Sequence, residues 1–366
     1  MASILLLKPS MEANVMRYPG VVSGGSGCEP RVGVVCACGA LLAAVTLAVG
    51  CAQPCEEDYL AKFEQVRADA APHGGFRDAQ PFGVGALAVG DAGTIVRFDA
   101  NGLVEIDGGV DVDLHALLLA PGLLAVGDAG TILRSSDGVT WTPVDAGTVA
   151  DLYGAGESWS GEEVAVVGDD VILVSTDGGA HWTAMNGDEA AGPLRAVAFA
   201  DPGFLAFSAN GDVVAVDTAA GTYAPLGMSL GAAVRNVEYD AVGDAWFVLV
   251  DGSVQIGSKV GGTWQFSSGS SGYCGSVGFR RADQYVLCDD GRVRDRNEKL
   301  DEPSLQLDPF VPARAVVSVG YNSTGFGGDG VVRPYDDLMV FGEDGVARLY
   351  EPVQGTRPAE YCPSQH

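Results

Sequence analysis

An internal repeat constrains the fold of this chain more than any other feature. The segments Leu87–Arg97 (LAVGDAGTIVR) and Leu124–Arg134 (LAVGDAGTILR) are nearly identical. Five weaker copies follow, so that the aligned residues stand at positions 90, 127, 168, 208, 249, 288 and 342, with steps of 37, 41, 40, 41, 39 and 54 residues. A repeat of about 40 residues indicates a propeller or a solenoid.

The pattern of each repeat unit predicts four short strands. An apolar run meets a turn rich in Gly, Asp or Asn and resumes as an alternating segment, which predicts a β-hairpin. A strand-like segment precedes each hairpin, and a fourth one follows it, marked by Trp141, Trp182, Tyr223 and Trp264. Such a four-stranded blade buries both of its faces only when neighbouring blades stack on it. We therefore predict an all-β fold, a single β-propeller of seven blades with four antiparallel strands each, over residues 82–357.

Two turns that precede these aromatic residues share a sequence pattern. Ser175–Trp182 (STDGGAHW) and the one-residue-shorter Ser135–Trp141 (SSDGVTW) resemble the Asp-box, or BNR motif, S-x-D-x-G-x-[ST]-W, with His181 in place of Ser or Thr. Together with the preceding GD-x-G segments, they resemble the propeller repeats of photosystem II assembly-factor-like proteins, which belong to the sialidase superfamily. The aspartates can accept hydrogen bonds from turn amides, the glycines can take positive φ, and the tryptophans can pack between blades. We predict structural roles for Ser135, Asp137, Gly138, Trp141, Ser175, Asp177, Gly179 and Trp182.

The first fifty residues predict export. An uncharged run, Val32–Gly50, follows Arg31 and is typical of the apolar region of a signal peptide, although its length also approaches that of a membrane span. Its end, Leu47–Cys51 (LAVGC), resembles the lipobox of bacterial lipoproteins, with Ala48 where Leu is usual. The resemblance implies cleavage before Cys51 and a diacylglycerol on its thiol, which would anchor the chain in the cell envelope. The residue after the cysteine is Ala52 and not Asp, as in lipoproteins that are sent to the outer membrane. The resemblance therefore implies an outer-membrane location, and a periplasm-facing membrane is the alternative.

An even number of free cysteines would remain after processing and lipidation. Removal of residues 1–50 and lipidation of Cys51 would leave Cys55, Cys274, Cys288 and Cys362. In an oxidising compartment this number suggests two disulfides, for which three pairings are possible. We favour Cys274–Cys288, which lie on consecutive predicted strands, and Cys55–Cys362, which lie at the two ends of the domain. Metal ligation is less favoured because the chain has no CxxC pair and no nearby histidine.

The edges of the repeat array carry further predictions. Apolar residues at three- to four-residue spacing in Glu56–Arg67 predict a short N-terminal helix, within a lipidated tether and linker that cover residues 51–81. Residues 358–366 form a C-terminal tail. The long last step of 54 residues is explained by a glycine-rich insertion, Asn322–Asp337, which is either a contact element or a surface loop.

Charge and motifs exclude several classes of function. A formal net charge of −27 disfavours nucleic-acid partners. No GxSxG, HExxH or P-loop context occurs, so we expect no catalytic residues, no metal site and no cofactor. Sialidases need three arginines, a Tyr/Glu pair and an Asp, and the segments around Arg77 and Arg333 differ from the sialidase F/Y-R-I-P motif.

The sequence thus favours a non-enzymatic, monomeric propeller, anchored to the membrane by lipid, that binds an unidentified protein partner at the cell envelope. This role is the one that the assembly-factor resemblance implies. The alternative is a cell-surface hydrolase or lyase acting on glycans. A central funnel with three converging arginines and a Tyr–Glu pair would favour the enzyme, whereas a shallow acidic funnel would disfavour it.

Overall fold

The computed structural model describes residues 59–119, 122–187, 192–240, 245–250, 253–260, 263–268, 276–279, 284–287, 292–295, 305–308, 313–319 and 337–355. Cys51, the four cysteines of the two predicted disulfides, the leader and the C-terminal tail lie outside these residues. Within the described part of the chain, no helix is long and apolar enough to cross a membrane.

The described residues form 28 strands, and the first of these, β1 (Tyr59–Ala70), belongs to the last blade. Blade 1 contains β2 (Phe76–Phe82), β3 (Gly85–Gly90), β4 (Ile95–Asp99) and β5 (Gly102–Ile106). Blade 2 contains β6 (Leu114–Leu118), β7 (Leu123–Gly127), β8 (Thr131–Ser135) and β9 (Thr142–Val144). Blade 3 contains β10 (Leu152–Glu157), β11 (Val164–Gly168), β12 (Val171–Ser175) and β13 (Thr183–Ala184). Blade 4 contains β14 (Leu194–Ala200), β15 (Gly203–Ser208), β16 (Asp212–Asp217) and β17 (Thr222–Ser229).

The remaining three blades complete the ring. Blade 5 contains β18 (Val234–Asp240), β19 (Ala245–Val250), β20 (Ser253–Val260) and β21 (Thr263–Ser268). Blade 6 contains β22 (Ser276–Phe279), β23 (Gln284–Leu287), β24 (Arg292–Asp295) and β25 (Leu305–Asp308). Blade 7 contains β26 (Ala313–Val319), β27 (Asp337–Gly342), β28 (Val346–Gly355) and β1. The first strands of successive blades lie side by side, and β26 lies beside β2, so that the ring is closed. The predicted seven-bladed propeller is therefore confirmed.

The antiparallel order of the strands defines two faces. We call the upper face the one that carries the turns between second and third strands and the connections between blades. The lower face carries the other turns, including both Asp-box-like turns. Because β1 is the fourth strand of its blade, it runs from the lower face at Tyr59 to the upper face at Ala70.

The prediction of a short N-terminal helix is wrong, and the propeller begins before residue 82. β1 pairs antiparallel with β28, from Tyr59↔Gly355 to Ala70↔Val346, and lies parallel to β25 of blade 6. β28 would otherwise leave a row of backbone groups unpaired at the edge of blade 7. This long-range pairing overrides the local helical spacing, and exposure alternates from Glu64 to Ala70 as it does along a strand.

Two smaller boundaries also differ from the sequence prediction. Val250, rather than residue 249, pairs with Val234 as Gly90 pairs with Phe76, so the fifth repeat is shifted by one residue. Asp337 is the first residue of β27, where it is buried, and does not belong to the insertion. The rest of the predicted insertion lies outside the described residues.

The core consists of layers between adjacent blades. Along β3, Leu87 and Val89 pack towards blade 2, whereas Ala86 and Ala88 pack towards blade 7. The second strands of blades 1 to 4 are buried over their full length because they are covered on both faces. This explains why the repeat shows continuous apolar runs at these strands instead of alternation.

The glycine that ends the apolar run of the repeat has a steric role. A Cβ on Gly127 would lie 2.1 Å from the carbonyl oxygen of Asp113, and one on Gly90 would lie 2.1 Å from that of Gly75. Both glycines have extended backbone, with φ of −165° and −171°, which any residue can adopt. Blades 1 and 2 therefore keep glycine here because the backbone that enters each blade passes too close for a side chain. Ser208 and Val250 occupy the corresponding positions of blades 4 and 5.

We expect Gly127→Ala to lower the free energy of unfolding by about 1–3 kcal/mol or more, because the added methyl group overlaps backbone atoms. Gly122→Ala, just before the same strand, is the control, since its Cβ would meet nothing closer than 3.5 Å; we expect a change within about 0.5 kcal/mol. Urea denaturation of both variants measures the difference. Equal stabilities of the two variants would contradict the steric explanation.

Candidate functional site

The two Asp-box-like turns on the lower face share one hydrogen-bond network. In blade 2, Oδ1 of Asp137 accepts hydrogen bonds from the amides of Val139 (2.9 Å) and Thr140 (2.8 Å), while Oγ of Ser135 accepts one from Gly138 (2.9 Å). The bonds from Thr140 and Val139 hold the pKa of Asp137 at about 2. Asp137 thus closes its turn by accepting hydrogen bonds from two turn amides.

The turn of blade 3 repeats this network with one addition. Oδ1 of Asp177 accepts hydrogen bonds from the amides of Ala180 (3.1 Å) and His181 (2.9 Å), and Ser175 accepts one from Gly179 (2.8 Å). Nδ1 of His181 also lies 2.6 Å from Oδ2 of Asp177. The His181 side chain and amide lower the pKa of Asp177 well below its usual range. His181 therefore replaces the usual Ser or Thr with a longer partner for the same carboxylate.

The tryptophans of both turns pack between blades. Trp141 is buried in the layer between blades 1 and 2, and Trp182 packs against the layer between blades 2 and 3. Gly138 (φ 72°) and Gly179 (φ 81°) have left-handed backbone, and a Cβ on Gly138 would lie 2.8 Å from the Phe82 ring. These residues hold the blades together and offer no reactive group, so the candidate site must lie elsewhere.

A set of side chains that the sequence analysis did not identify as a site lies on the upper face, around the central channel. In six blades the pairing of the first and second strands skips one residue, which is the second residue of the first strand. Such a β-bulge turns a side chain out of the ladder. We call the bulged residues the polar ring: Arg77, His115, Tyr153, Arg195, Arg235 and Arg314. The corresponding residues of blade 6 lie outside the described part of the chain.

Arg77 connects blade 1 to blade 2. Its Nε donates to Oδ1 of Asp91 (2.7 Å) in the turn after β3, and its Nη2 donates to Oδ2 of Asp113 (2.5 Å), the residue before β6. Oδ1 of Asp113 accepts a hydrogen bond from the amide of Ala92 (2.9 Å). The carboxylate of Asp113 thus fixes both the guanidinium and the turn of blade 1.

His115 continues this network towards blade 3. Nη1 of Arg77 lies 3.4 Å from Nδ1 of His115, and Nε2 of His115 lies 2.6 Å from Oδ1 of Asp128. Nε2 is placed to donate to the carboxylate of Asp128, and Nδ1 faces the guanidinium of Arg77. The imidazole also packs against the ring of Tyr153, with centroids 4.9 Å apart. The imidazole thus connects the ring residues of blades 1 and 3.

Tyr153 and Arg195 form the next part of the ring. The guanidinium carbon of Arg195 lies 3.7 Å from the centre of the Tyr153 ring, and the Tyr153 hydroxyl donates to Oδ2 of Asp169 (3.3 Å). Nη1 of Arg195 lies 3.6 Å from Oδ1 of Asp169 and donates no hydrogen bond among the described residues. In blade 7, Nε of Arg314 lies 2.5 Å from Oε1 of Glu343. The ring thus alternates oriented donors with carboxylates.

This arrangement is suited to binding rather than to nucleophilic chemistry. Burial raises the pKa of Tyr153 above 10, so that its phenol stays protonated at neutral pH. Its carboxylate partner is an aspartate, whereas the sialidase pattern needs a Tyr–Glu pair. No group of three or more His, Cys, Asp or Glu side chains in the described residues is arranged to hold a metal ion. Fixed guanidinium groups and carboxylates can instead pair with the polar groups and charges of a peptide.

Asp78 follows Arg77 on β2 and has the most strongly raised pKa among the ionisable groups of the described residues. Its Oδ2 accepts a hydrogen bond from the amide of Leu117 on β6 (2.8 Å), and its Oδ1 accepts one from Ala79 (2.8 Å). Burial outweighs these two bonds and raises the pKa of Asp78 to about 7. The carboxyl group thus links blades 1 and 2, and its contribution to the free energy of unfolding depends on pH.

We expect the protein to lose stability as pH rises from about 4 to 7. Folded Asp78 keeps its proton up to about pH 7, whereas the unfolded chain releases it near pH 3.9. The folded state therefore binds more protons in this window, and raising the pKa from about 3.9 to about 7 corresponds to a loss of at most about 4 kcal/mol. Asp78→Asn should remove most of this slope, and the exposed Asp145→Asn should retain it. Urea unfolding at pH 5 and pH 8 tests this, and identical slopes in all three proteins would contradict it.

No protein-family model matches the chain, and no curated protein matches it either. Among solved structures, one of YCF48 bound to D1 peptide is similar, with a TM-score of 0.52 and 15% sequence identity, over 78% of this chain and 96% of that chain. At this identity the similarity establishes the propeller fold alone.

Proposed function

We propose that this protein is an exported, lipid-anchored propeller that binds a segment of a partner protein on its upper face, across the polar ring. The proposal makes the propeller a non-enzymatic platform at the cell envelope. It rests foremost on the continuous network from Arg77 to Arg195, in which four successive blades each present a polar side chain from the same bulged position.

The charge distribution supports binding at the ring. The chain has only 21 Lys and Arg residues against 48 Asp and Glu residues, and the ring contains four of these cations at equivalent positions in different blades. Neighbouring carboxylates orient Arg77, Arg195 and Arg314, which reduces the entropy lost on binding. A partner segment with its own acidic and amide groups would satisfy these donors. The solved structure of YCF48 with a peptide is in keeping with this use of the fold.

The envelope location is supported by the sequence alone. The LAVGC segment that ends at Cys51 follows an uncharged run, and the four later cysteines suit an oxidising compartment. Radioactive palmitate should label the wild-type protein in the source bacterium and should not label Cys51→Ser. Equal labelling of both proteins would exclude Cys51 as the anchor.

We expect Arg195→Gln to weaken partner binding at least tenfold, which corresponds to about 1.4 kcal/mol. The substitution removes the cation that stacks on Tyr153 and faces Asp169. Lys259→Gln on the lower face, where Lys259 donates to the carbonyl of Asp201 (3.0 Å), removes the same charge away from the ring and is the control.

The measurement is quantitative mass spectrometry of proteins captured from detergent-solubilised membranes of the source bacterium. The partner is the protein whose recovery falls in Arg195→Gln and is unchanged in Lys259→Gln. Binding on the upper face is excluded when every captured protein responds equally to the two variants.

The alternative, a glycan-acting hydrolase, is favoured by one observation: the ring combines arginines with a tyrosine that contacts a carboxylate. The raised pKa of Tyr153 opposes it, because a nucleophilic tyrosine must lose its proton. Hydrolysis of fluorogenic sialosides by the wild type, abolished in Tyr153→Phe, would establish the enzyme. Absence of hydrolysis by the wild type would exclude the sialidase-like alternative and leave the binding platform as the proposed function.

A further inference from the structure

We propose that the lower face lies against the headgroups of the bilayer and that the polar ring faces away from the membrane. This orientation rests on the proposed lipid anchor at Cys51. It assigns the partner of the ring to the aqueous compartment and gives the lower face a ligand of its own, a zwitterionic phospholipid surface.

The direction of β1 carries the first step. The strand starts at the lower face with Tyr59 and reaches the upper face with Ala70. The eight residues from Cys51 to Tyr59 span at most about 29 Å when fully extended. β1 itself contains 12 residues, which at about 3.3 Å each extend for about 40 Å. An anchor on Cys51 is therefore too short to pass along the blade and place the ring on the membrane.

The distribution of exposed apolar side chains agrees with this direction. On the lower face, four large apolar residues are more than half exposed: Val84, Val139, Trp159 and Val260. On the described part of the upper face, Val149 alone is more than half exposed, and its exposure is the highest of the five. Trp159 is 64% exposed and packs edge-on against Phe199, with centroids 5.3 Å apart. Tryptophan is enriched at membrane–water interfaces because its ring is both apolar and a hydrogen-bond donor.

The charges of the lower face select the kind of lipid. Asp137 and Asp177 are ionised at neutral pH, as ordinary aspartates are, and their turn hydrogen bonds lower their pKa values further. Glu162 and Glu163 lie in the same turn as Trp159. In the described lower-face turns these carboxylates outnumber the cation Lys259, so anionic headgroups would be repelled, whereas zwitterionic headgroups would not. The lower face is therefore suited to phosphatidylcholine or phosphatidylethanolamine.

Energy transfer to the membrane tests the orientation. The full lipidated protein is reconstituted in phosphatidylcholine vesicles that contain a lipid-linked acceptor dye. An azide-bearing amino acid replaces either Val139, which is 56% exposed on the lower face, or Val149, which is 86% exposed on the upper face, and each is coupled to the same donor dye. We expect transfer at least twofold more efficient from position 139 than from position 149.

The outcomes separate the two proposals. Failure of the wild type to float with vesicles overturns the anchor and with it the orientation. Flotation with equal transfer from the two positions, or with greater transfer from position 149, overturns the orientation alone. Replacement of half the phosphatidylcholine by phosphatidylglycerol should lower transfer from position 139, and an increase would overturn the choice of zwitterionic lipid.

Discussion

A chain that begins at residue 71 is expected not to fold. Such a chain lacks β1, which forms the outer strand of blade 7 and pairs with β28 over its full length. β1 also fastens blade 7 to blade 1, because Nη1 of Arg67 donates to the carbonyl of Ala100 (3.1 Å) and Asp69 accepts a hydrogen bond from the amide of Leu103 (3.3 Å). Without the strand, the backbone groups of β28 and the layer behind them are open to water.

Circular dichroism and size-exclusion chromatography of the truncated chain measure this effect. A chain that begins at residue 57 retains β1 and is the control, which should keep the strand content and cooperative unfolding of the wild type. A peptide of residues 57–72, added during refolding, should restore the shorter chain. A cooperative unfolding transition of the chain from residue 71 without the peptide would show that β1 is dispensable.

Phe341→Ala is expected to lower the free energy of unfolding by about 3–5 kcal/mol. The Phe341 side chain is fully buried on β27, in the layer that joins blade 7 to blade 1. Its ring meets those of Phe76 and Phe98 edge-on, with centroids 5.2 and 6.1 Å apart. Truncation leaves a cavity at the seam where the ring closes, and close-packed neighbours collapse into such a cavity only in part.

Urea denaturation compares this variant with Val104→Ala, which truncates a side chain that is 50% exposed on β5. The control should change the stability by less than about 0.5 kcal/mol. Phe341→Leu should fall between the two because it fills part of the cavity. A loss below about 1 kcal/mol for Phe341→Ala would mean that the seam between blades 7 and 1 is packed more loosely than the contacts of Phe341 indicate.

The blades could be predicted because their determinants are local and repeated. A glycine at the position of Gly127 recurs where a carbonyl oxygen leaves no room for a side chain. The apolar run before it recurs because the second strand is covered on both faces. Asp137 and Asp177 close turns within a few residues of themselves. A single sequence shows such local determinants directly, and seven copies reinforce one another.

β1 could not be predicted because its determinant is remote. Tyr59 pairs with Gly355, about 300 residues later in the chain, whereas the three- to four-residue spacing that suggested a helix is local. The signal that could have revealed the strand is a count of strands: β26, β27 and β28 supply three strands of blade 7, and a complete blade requires a fourth, which β1 supplies.

The polar ring was missed because its members share a position and not a chemistry. Arg77, His115, Tyr153 and Arg195 form no motif in sequence, and they meet only when the blades stack. Each follows the buried residue that opens the first strand of its blade, which is Phe76 in blade 1 and Leu114 in blade 2. Comparing the residues at this one position across the repeats would have identified the polar ring.

In the proposed function, the bulges separate the residues that would bind a partner from those that fold the blades. A bulged residue forms no register pair with the neighbouring strand, so its side chain can change without disturbing the register of its blade. His115 stands between Arg77 and Tyr153 on an otherwise equivalent frame, which shows that the frame accepts a cation, an imidazole and a phenol alike. A propeller built in this way can acquire a new binding specificity one blade at a time, by substitutions that leave the strand pairing of each blade unchanged.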